Sequence, residues 1–341
     1  MAQTYDAVLF LSFGGSEGMN DVMSFLENVL RGKNVPRERM EQVALHYELF
    51  GGVSPINEQN RKLIATLKEL FEKENFKLPI YWGNRNWHPL LTDTMHEMKR
   101  DKIKRALAFV TSAYSSYSGC RQYLDDIERA RNDIGQDAPQ VDKIRVYYNH
   151  EGFIKPNIEN VKKALEQIPQ ERRNDAEIAF TAHSIPSAMA VTCDYQAQLE
   201  EACQLVAESL NHKNYRLVFQ SRSGPPQQSW LEPDICDYLQ ELKERGVEDV
   251  IVHPIGFISD HLEVVYDLDT QAKSLAQEIG LNMIRSATVG THSCFVQMIY
   301  ELIQERITEN PERNFLGTRG ICPDICADNC CSYTPTRPQR K

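Results

Sequence analysis

Eight short apolar runs, spread along the whole chain and separated by stretches of helical periodicity, constrain this sequence more than any other feature. They fall near 6–13, 78–82, 105–112, 143–148, 176–182, 215–220, 248–254 and 281–286. Apolar runs of this length read as buried strands. Strand and helix in alternation give an α/β fold with parallel sheets. The first unit shows the scheme: Asp6-Ala-Val-Leu-Phe-Leu-Ser-Phe13 is a strand and Gly14-Gly15-Ser16-Glu17-Gly18 a turn. Val22, Phe25, Leu26, Val29 and Leu30 then form the apolar stripe of a helix. The turn lacks the G-x-G-x-x-G spacing of a dinucleotide site. Its glycines either turn the chain or let backbone approach a ligand. The runs divide four and four, so we expect two similar Rossmann-like halves, each a four-stranded parallel sheet flanked by helices. They would cover residues 1–150 and 151–308, with a Cys-rich tail over 309–341. No residue-level repeat accompanies the division, so the duplication is one of architecture.

In open α/β sheets, ligands bind beyond the C-terminal ends of the strands. The loops there are polar and aromatic. Gly83-Asn-Arg-Asn-Trp-His-Pro89 follows the second run, and the stretch from Ala113 to Tyr123, dense in hydroxyls and rings, follows the third. The latter suits a flat ligand with polar edges. Arg31 and Lys33 close the first helix, either as compensation for its dipole or as contacts for an anionic substrate. Ser54, after Gly51-Gly52, reads as the N-cap of the next helix. A helix N-terminus with a hydroxyl is also a carboxylate site.

The fifth run leads into Thr181-Ala-His183-Ser-Ile-Pro186, and the seventh into Gly256-Phe-Ile-Ser-Asp-His-Leu-Glu-Val-Val-Tyr-Asp-Leu-Asp269. The second stretch opens a helix at Asp260 that also carries Glu263, Asp267 and Asp269. Glu263 and Asp267 are four apart and share one helix face. Such carboxylates are either a solvated first turn matched to the dipole or an offer to a cation. A neutral imidazole facing them, here His183, can accept a proton or hold a divalent metal. His, Glu and Asp suit Zn or Fe. No H-x-x-x-H or C-x-x-C accompanies them, which fits transient handling of a metal.

A net charge of −10 argues against non-specific nucleic-acid binding. No apolar run approaches the roughly 20 residues of a spanning helix. The N-terminus shows no basic stretch followed by an apolar one. We expect a soluble, cytoplasmic protein.

Three motifs in order then carry a resemblance. Thr181 to Pro186, Gln220-Ser-Arg-Ser-Gly-Pro-Pro with Trp230-Leu-Glu-Pro233, and Gly256 to Asp269 resemble the ferrochelatases, as does the opening strand with Phe13-Gly14-Gly15. The resemblance runs from about residue 5 to 331. It implies insertion of Fe2+ into a porphyrin, in haem biosynthesis, within a cleft between two α/β halves. It implies His183 as proton acceptor and iron ligand, with Glu263 as its acidic partner and a second iron ligand. Asp267 would stand behind them or on the iron's access route. The family often continues this acidic line at the position of Gln271, where the chain departs. Ser54 and Tyr123 match positions that bind substrate carboxylates, with Tyr47 and Arg31 as further candidates. Phe13 and the 83–87 loop resemble the actinobacterial type, which acts on coproporphyrin III. The expected product is therefore Fe-coproporphyrin III (coproheme), with protoporphyrin IX as the alternative substrate. A non-enzymatic haem or metal carrier with an iron–sulfur sensor tail is the alternative of another class. A product this apolar suits direct handover to a downstream haem-pathway enzyme.

The nine cysteines are odd in number and do not suggest a disulfide framework. Four of them, Cys322, Cys326, Cys330 and Cys331, fall within ten residues. A tetrahedral zinc site is one reading. Some ferrochelatases instead hold a [2Fe–2S] cluster on three tail cysteines and one upstream. The resemblance then implies Cys322, Cys326 and Cys331 with Cys120, and Cys330 and Cys193 as alternates. Cys203, Cys236 and Cys294 fall in helical patterns as small core residues.

Overall fold

The computed structural model describes residues 4–32, 35–224 and 227–333. It contains two four-stranded parallel sheets. The first comprises β1 (Ala7–Ser12), β2 (Ile80–Asn84), β3 (Arg105–Val110) and β4 (Gln140–Lys143), in the order β2-β1-β3-β4. The second comprises β5 (Glu177–His183), β6 (Tyr215–Gln220), β7 (Asp249–His253) and β8 (Asn282–Arg285), in the order β6-β5-β7-β8. Both sheets use one topology. The chain moves outward one way from the first strand, then returns past it to build the other side. That creates a switch point between β1 and β3, and another between β5 and β7.

The central strands are apolar because helices cover both faces. Every residue of β1 and of β7 is buried. Helix Ile56–Lys73 packs Leu63, Ile64, Leu67 and Phe71 inward along one face. The largest core cluster crosses from one half to the other, joining Val8, Phe10 and Phe109 to Ile178, Phe180 and Ile251 through Phe153 and Phe295.

The fourth strand differs from expectation. It is Gln140–Lys143, and the apolar run at 144–148 is instead a buried connection between the halves. Tyr147 donates its hydroxyl to the Val110 carbonyl at 3.0 Å. Tyr148 donates to Glu201 at 2.7 Å. Arg145, fully buried, makes a two-pronged pair with Glu305 of the last helix, Ser293–Ile307, at 2.8 and 2.9 Å. A connection buried this completely has the composition of a strand without its ladder.

The tail is docked rather than loose. Arg145 also donates to the Asn314 carbonyl at 2.9 Å, and Arg313 to Glu305 at 3.1 Å. The Glu201 carboxylate accepts from the backbone N–H groups of Thr318 and Arg319 at 2.7 and 3.1 Å. Among the described residues no helix is long and apolar enough to cross a membrane.

Removing one partner of a buried ion pair strands the other charge, at a cost of about 3–5 kcal/mol. Glu305→Ala is therefore expected to lower the urea midpoint by a corresponding amount and to expose residues 310–333 to limited proteolysis. An unchanged midpoint would mean that Arg145 is satisfied without Glu305.

Candidate active site

β5 places the central side chain. His183 is its last residue. The Tyr195 hydroxyl donates to its carbonyl at 3.0 Å, and its ring Nδ1 contacts the Ser184 carbonyl. Across the switch point, Gly256 follows β7. A Cβ there would stand 2.7 Å from the Ala182 Cα, so only glycine lets the two backbones approach this closely.

Beyond Gly256 the chain forms a short turn, Leu262–Val264, which runs straight into a π-helix, Val265–Ala272, and then into Lys273–Glu278. The wide i→i+5 turn occurs where the carboxylates stand, as such turns often do at functional sites. Glu263 sits ahead of it, with Oε2 at 3.6 Å from His183 Nε2. Both side chains are partly open, at 48% and 36% exposure. Burial pulls the His183 pKa down, but Glu263, the Ser184 carbonyl and Asp267 outweigh it and hold the imidazole above its usual value. Asp267 lies deeper. Burial pushes its carboxyl up to about 6, with Glu263 adding to the rise, while hydrogen bonds from Ser221 and Gln220 oppose it. Ser221 makes the closer contact, and Gln220 Nε2 stands at 3.4 Å.

The other acidic residues of the stretch are already engaged. Asp260 does not cap the helix. That place belongs to His261, whose Nδ1 accepts from the Val264 N–H at 3.4 Å. Asp260 instead pairs with Arg285 at 2.6 Å, and Asp269 meets the same guanidinium at 3.5 Å.

The N-terminal half reaches across to this helix. Ser54 is not the cap of its own helix, which starts after Pro55 without a side-chain cap. Its Oγ accepts from the Leu262 N–H at 3.2 Å. Gln59 Oε1 accepts from the Asp260 N–H at 2.9 Å. Tyr47 is buried beside Phe25, and burial together with the Glu263 charge pushes its phenol up. His46 stacks on Tyr266 with ring centroids 3.9 Å apart and planes 10° from parallel. Ser54 and Tyr47 are thus brought to the carboxylate helix. Arg31 is exposed beyond the first helix and donates to Asn28 at 2.6 Å. Tyr123 is buried beneath Arg85, whose guanidinium lies 4.6 Å from its ring. Gln59, His261, Tyr266 and Arg285 were not singled out in the sequence. Arg285 alone carried a positional signal, as a charged residue at a strand end.

A sequence model described as Ferrochelatase matches residues 5–307. This chain belongs to the ferrochelatase family. It is 53% identical to a ferrochelatase of Rhodopirellula baltica, with 98% of this chain and 95% of that one covered. It is 46% identical to a coproporphyrin III ferrochelatase of Streptomyces coelicolor, over 99% and 96% of the two chains. Among solved structures, the SirB chelatase of Bacillus subtilis shares the fold, with a TM-score of 0.54 over 89% of this chain and 96% of that one, at 10% identity. The chain is a metal chelatase of this family.

The cysteines meet on the far side of the 113–123 loop. The Cys120 thiol donates to Cys326, which raises the one pKa and lowers the other. Cys330 contacts both Cys326 and Cys331, the last at 3.6 Å between sulfurs. Cys193 feels the charges of Cys120 and Cys330. The Gln198 amide donates to Cys322 Sγ at 3.9 Å. Among the described residues, no three His, Cys, Asp or Glu side chains gather tightly enough for a single metal ion.

The elevated His183 pKa has a checkable cause. With Glu263 removed, burial is the largest influence left on the ring. In Glu263→Gln the NMR-detected titration of His183 is expected to move to lower pH. An unmoved midpoint would show that the carboxylate does not set it.

Proposed function

We propose that this chain inserts Fe2+ into coproporphyrin III, with His183 as proton acceptor and iron ligand and Glu263 as its acidic partner. The observation that carries this reading is the His183–Glu263 pair, 3.6 Å apart and open to solvent at the switch point of the second sheet. The relatives named coproporphyrin III ferrochelatases support the substrate. The free-base macrocycle must lose two pyrrole protons as Fe2+ enters, so charge balances when two protons leave. His183, raised in basicity by Glu263, takes a proton from the ring, and the Glu263 carboxylate stabilises the imidazolium formed. Asp267 supplies a second carboxylate behind the pair, on the metal's route. Burial makes it readily protonated near pH 6, so metal uptake weakens below that pH as the carboxylate is lost.

The propionates need donors. Arg31 is an exposed cation, and the Ser54 hydroxyl retains its own proton while accepting from Leu262. Tyr47 and Tyr123 act from beneath, Tyr123 through Arg85. Exposed Met19, Leu49 and Val53 flank this region in sequence and suit direct handover of an apolar product to a following enzyme.

Removing a general base costs about 10²–10⁴-fold in rate. In an anaerobic assay, His183→Ala is expected to lose at least about 100-fold while still binding porphyrin, and the wild type to turn over coproporphyrin III faster than protoporphyrin IX. A His183→Ala protein that metallates at the wild-type rate would overturn the assignment. A preference for protoporphyrin IX would overturn the substrate.

We propose a [2Fe–2S] cluster on Cys120, Cys322, Cys326 and Cys331, with Cys330 and Cys193 as alternates; the contacts of Cys120 with Cys326 and of Cys330 with Cys331 support it. Bound there, the cluster supplies four thiolate–iron links between the tail and the 113–123 loop. Protein purified without oxygen is expected to show sulfide-to-iron charge-transfer bands and equal iron and sulfide content. Cys120→Ser and Cys322→Ser should each lose the bands. Colourless protein containing zinc would reassign the tail.

A further inference from the structure

We infer that Arg285 is a positioning residue for the metal-handling helix, a clip that fixes Glu263 and Asp267 and withholds two other carboxylates from the metal. The inference rests on the roles proposed for Glu263 and Asp267.

Arg285 is the last residue of β8, with a side chain 16% exposed. Its Nη2 donates to Asp260 Oδ1 at 2.6 Å, and its Nε stands 3.5 Å from Asp269 Oδ1, an ion-pair contact without a hydrogen bond. Its Nη1 donates to the Ser286 carbonyl, which anchors the guanidinium to the strand end. The two carboxylates bracket the segment from 260 to 269, and both Glu263 and Asp267 lie between them. This is also where the helix widens to i→i+5 spacing. Such i→i+5 segments are rare and concentrate at functional sites. Gln59 and Ser54 hold the same segment from the N-terminal half, through the N–H groups of Asp260 and Leu262. Arg285 holds it from the C-terminal half.

The second effect is electrostatic. Four carboxylates on ten residues would offer a divalent cation several competing positions. The fixed positive charge of Arg285 occupies Asp260 and Asp269. Glu263 and Asp267 are then the carboxylates left to face His183, which is the geometry that the chemistry needs. A guanidinium suits this task because its planar fork contacts two acceptors at once and never loses its proton.

The test compares the full-length wild type with Arg285→Gln, Arg285→Lys, Asp269→Asn and His183→Ala. Steady-state rates are measured anaerobically, with Fe2+ and the porphyrin varied separately, and porphyrin affinity is followed by fluorescence quenching. A displacement of about 1 Å in a reacting group costs on the order of 100-fold. Arg285→Gln is expected to lower kcat/KM for Fe2+ by about 10- to 100-fold, to bring on inhibition by excess Fe2+ at lower concentration, and to leave porphyrin affinity within about two-fold. Arg285→Lys, which keeps the charge but not the fork, should recover only part of the loss. Where Arg285→Gln does not fold by circular dichroism, Asp269→Asn carries the test, with a smaller loss in the same Fe2+ parameter. Unchanged Fe2+ kinetics in the folded variants, or equal losses against both substrates, would overturn the inference. Wild-type activity in His183→Ala would instead indict the site assignment itself.

Discussion

The segment from Asp260 to Leu262 is gripped by both halves of the molecule at once, and the geometry of the cleft follows from that. Gln59 and Ser54 reach it from the first half, Arg285 from the second. Leu262 completes the contact by entering an apolar cluster with Val22, Phe25, Leu26 and Tyr47. Each hydrogen bond is modest alone, at about 0.5–1.5 kcal/mol net. Their importance lies in what they fix. The backbone N–H groups at the start of a helix have no partners within it. Here the Leu262 N–H is satisfied by Ser54 and the Asp260 N–H, just ahead of the cap, by Gln59, so the helix bearing Glu263 cannot shift without breaking contacts to the opposite half.

The strands were legible because parallel strands covered on both faces are apolar throughout, and most runs predicted from that signal became strands. The run at 144–148 shows its limit. A connection that threads between two halves is as buried as a strand, so it acquires the same composition. Only the ladder distinguishes them, and the ladder is not written locally. The same limit explains Ser54. Its place after Gly51-Gly52 and before a helix has every mark of a cap, yet its acceptor role is exercised more than 200 residues away, toward Leu262. Asp260 was read as the opening residue of its helix for the same local reasons, while its partner Arg285 lies at the end of another strand. His183 was legible because it ends a strand, and Glu263 because it opens the helix that follows the neighbouring strand, and the fold brings the two together.

The tail was read as a compositional oddity, and its docking comes from two buried acids elsewhere in the chain. Glu305 neutralises Arg145 and Arg313, and Glu201 takes the N–H groups of Thr318 and Arg319. Gly317 has a φ of +77°, and a Cβ there would come within 2.6 Å of Glu201 Oε1. The backbone can wrap the carboxylate at that point only because no side chain intervenes. This docking carries Cys326 to Cys120, which the sequence separates by 206 residues. The meeting of Cys120 with Cys326 is therefore a product of the tail's path, which the spacing of the cysteines alone does not reveal.

The electrostatics of the cleft fit the proposed chemistry through one shared property. Burial opposes charge on every group it touches, lowering a histidine and raising a carboxylate. At His183 the neighbouring acids reverse that effect, while at Asp267 burial prevails. Both groups consequently hold a proton at higher pH than they would alone, His183 because of its acidic neighbours and Asp267 because of burial. A divalent cation arriving among them favours the deprotonated forms, so metal binding and proton release are coupled in the same few ångströms. The exchange of one Fe2+ for two protons leaves the total charge of the cleft unchanged. A partly buried site can complete such a reaction without ever holding a large unbalanced charge, which is the condition its low-dielectric surroundings impose.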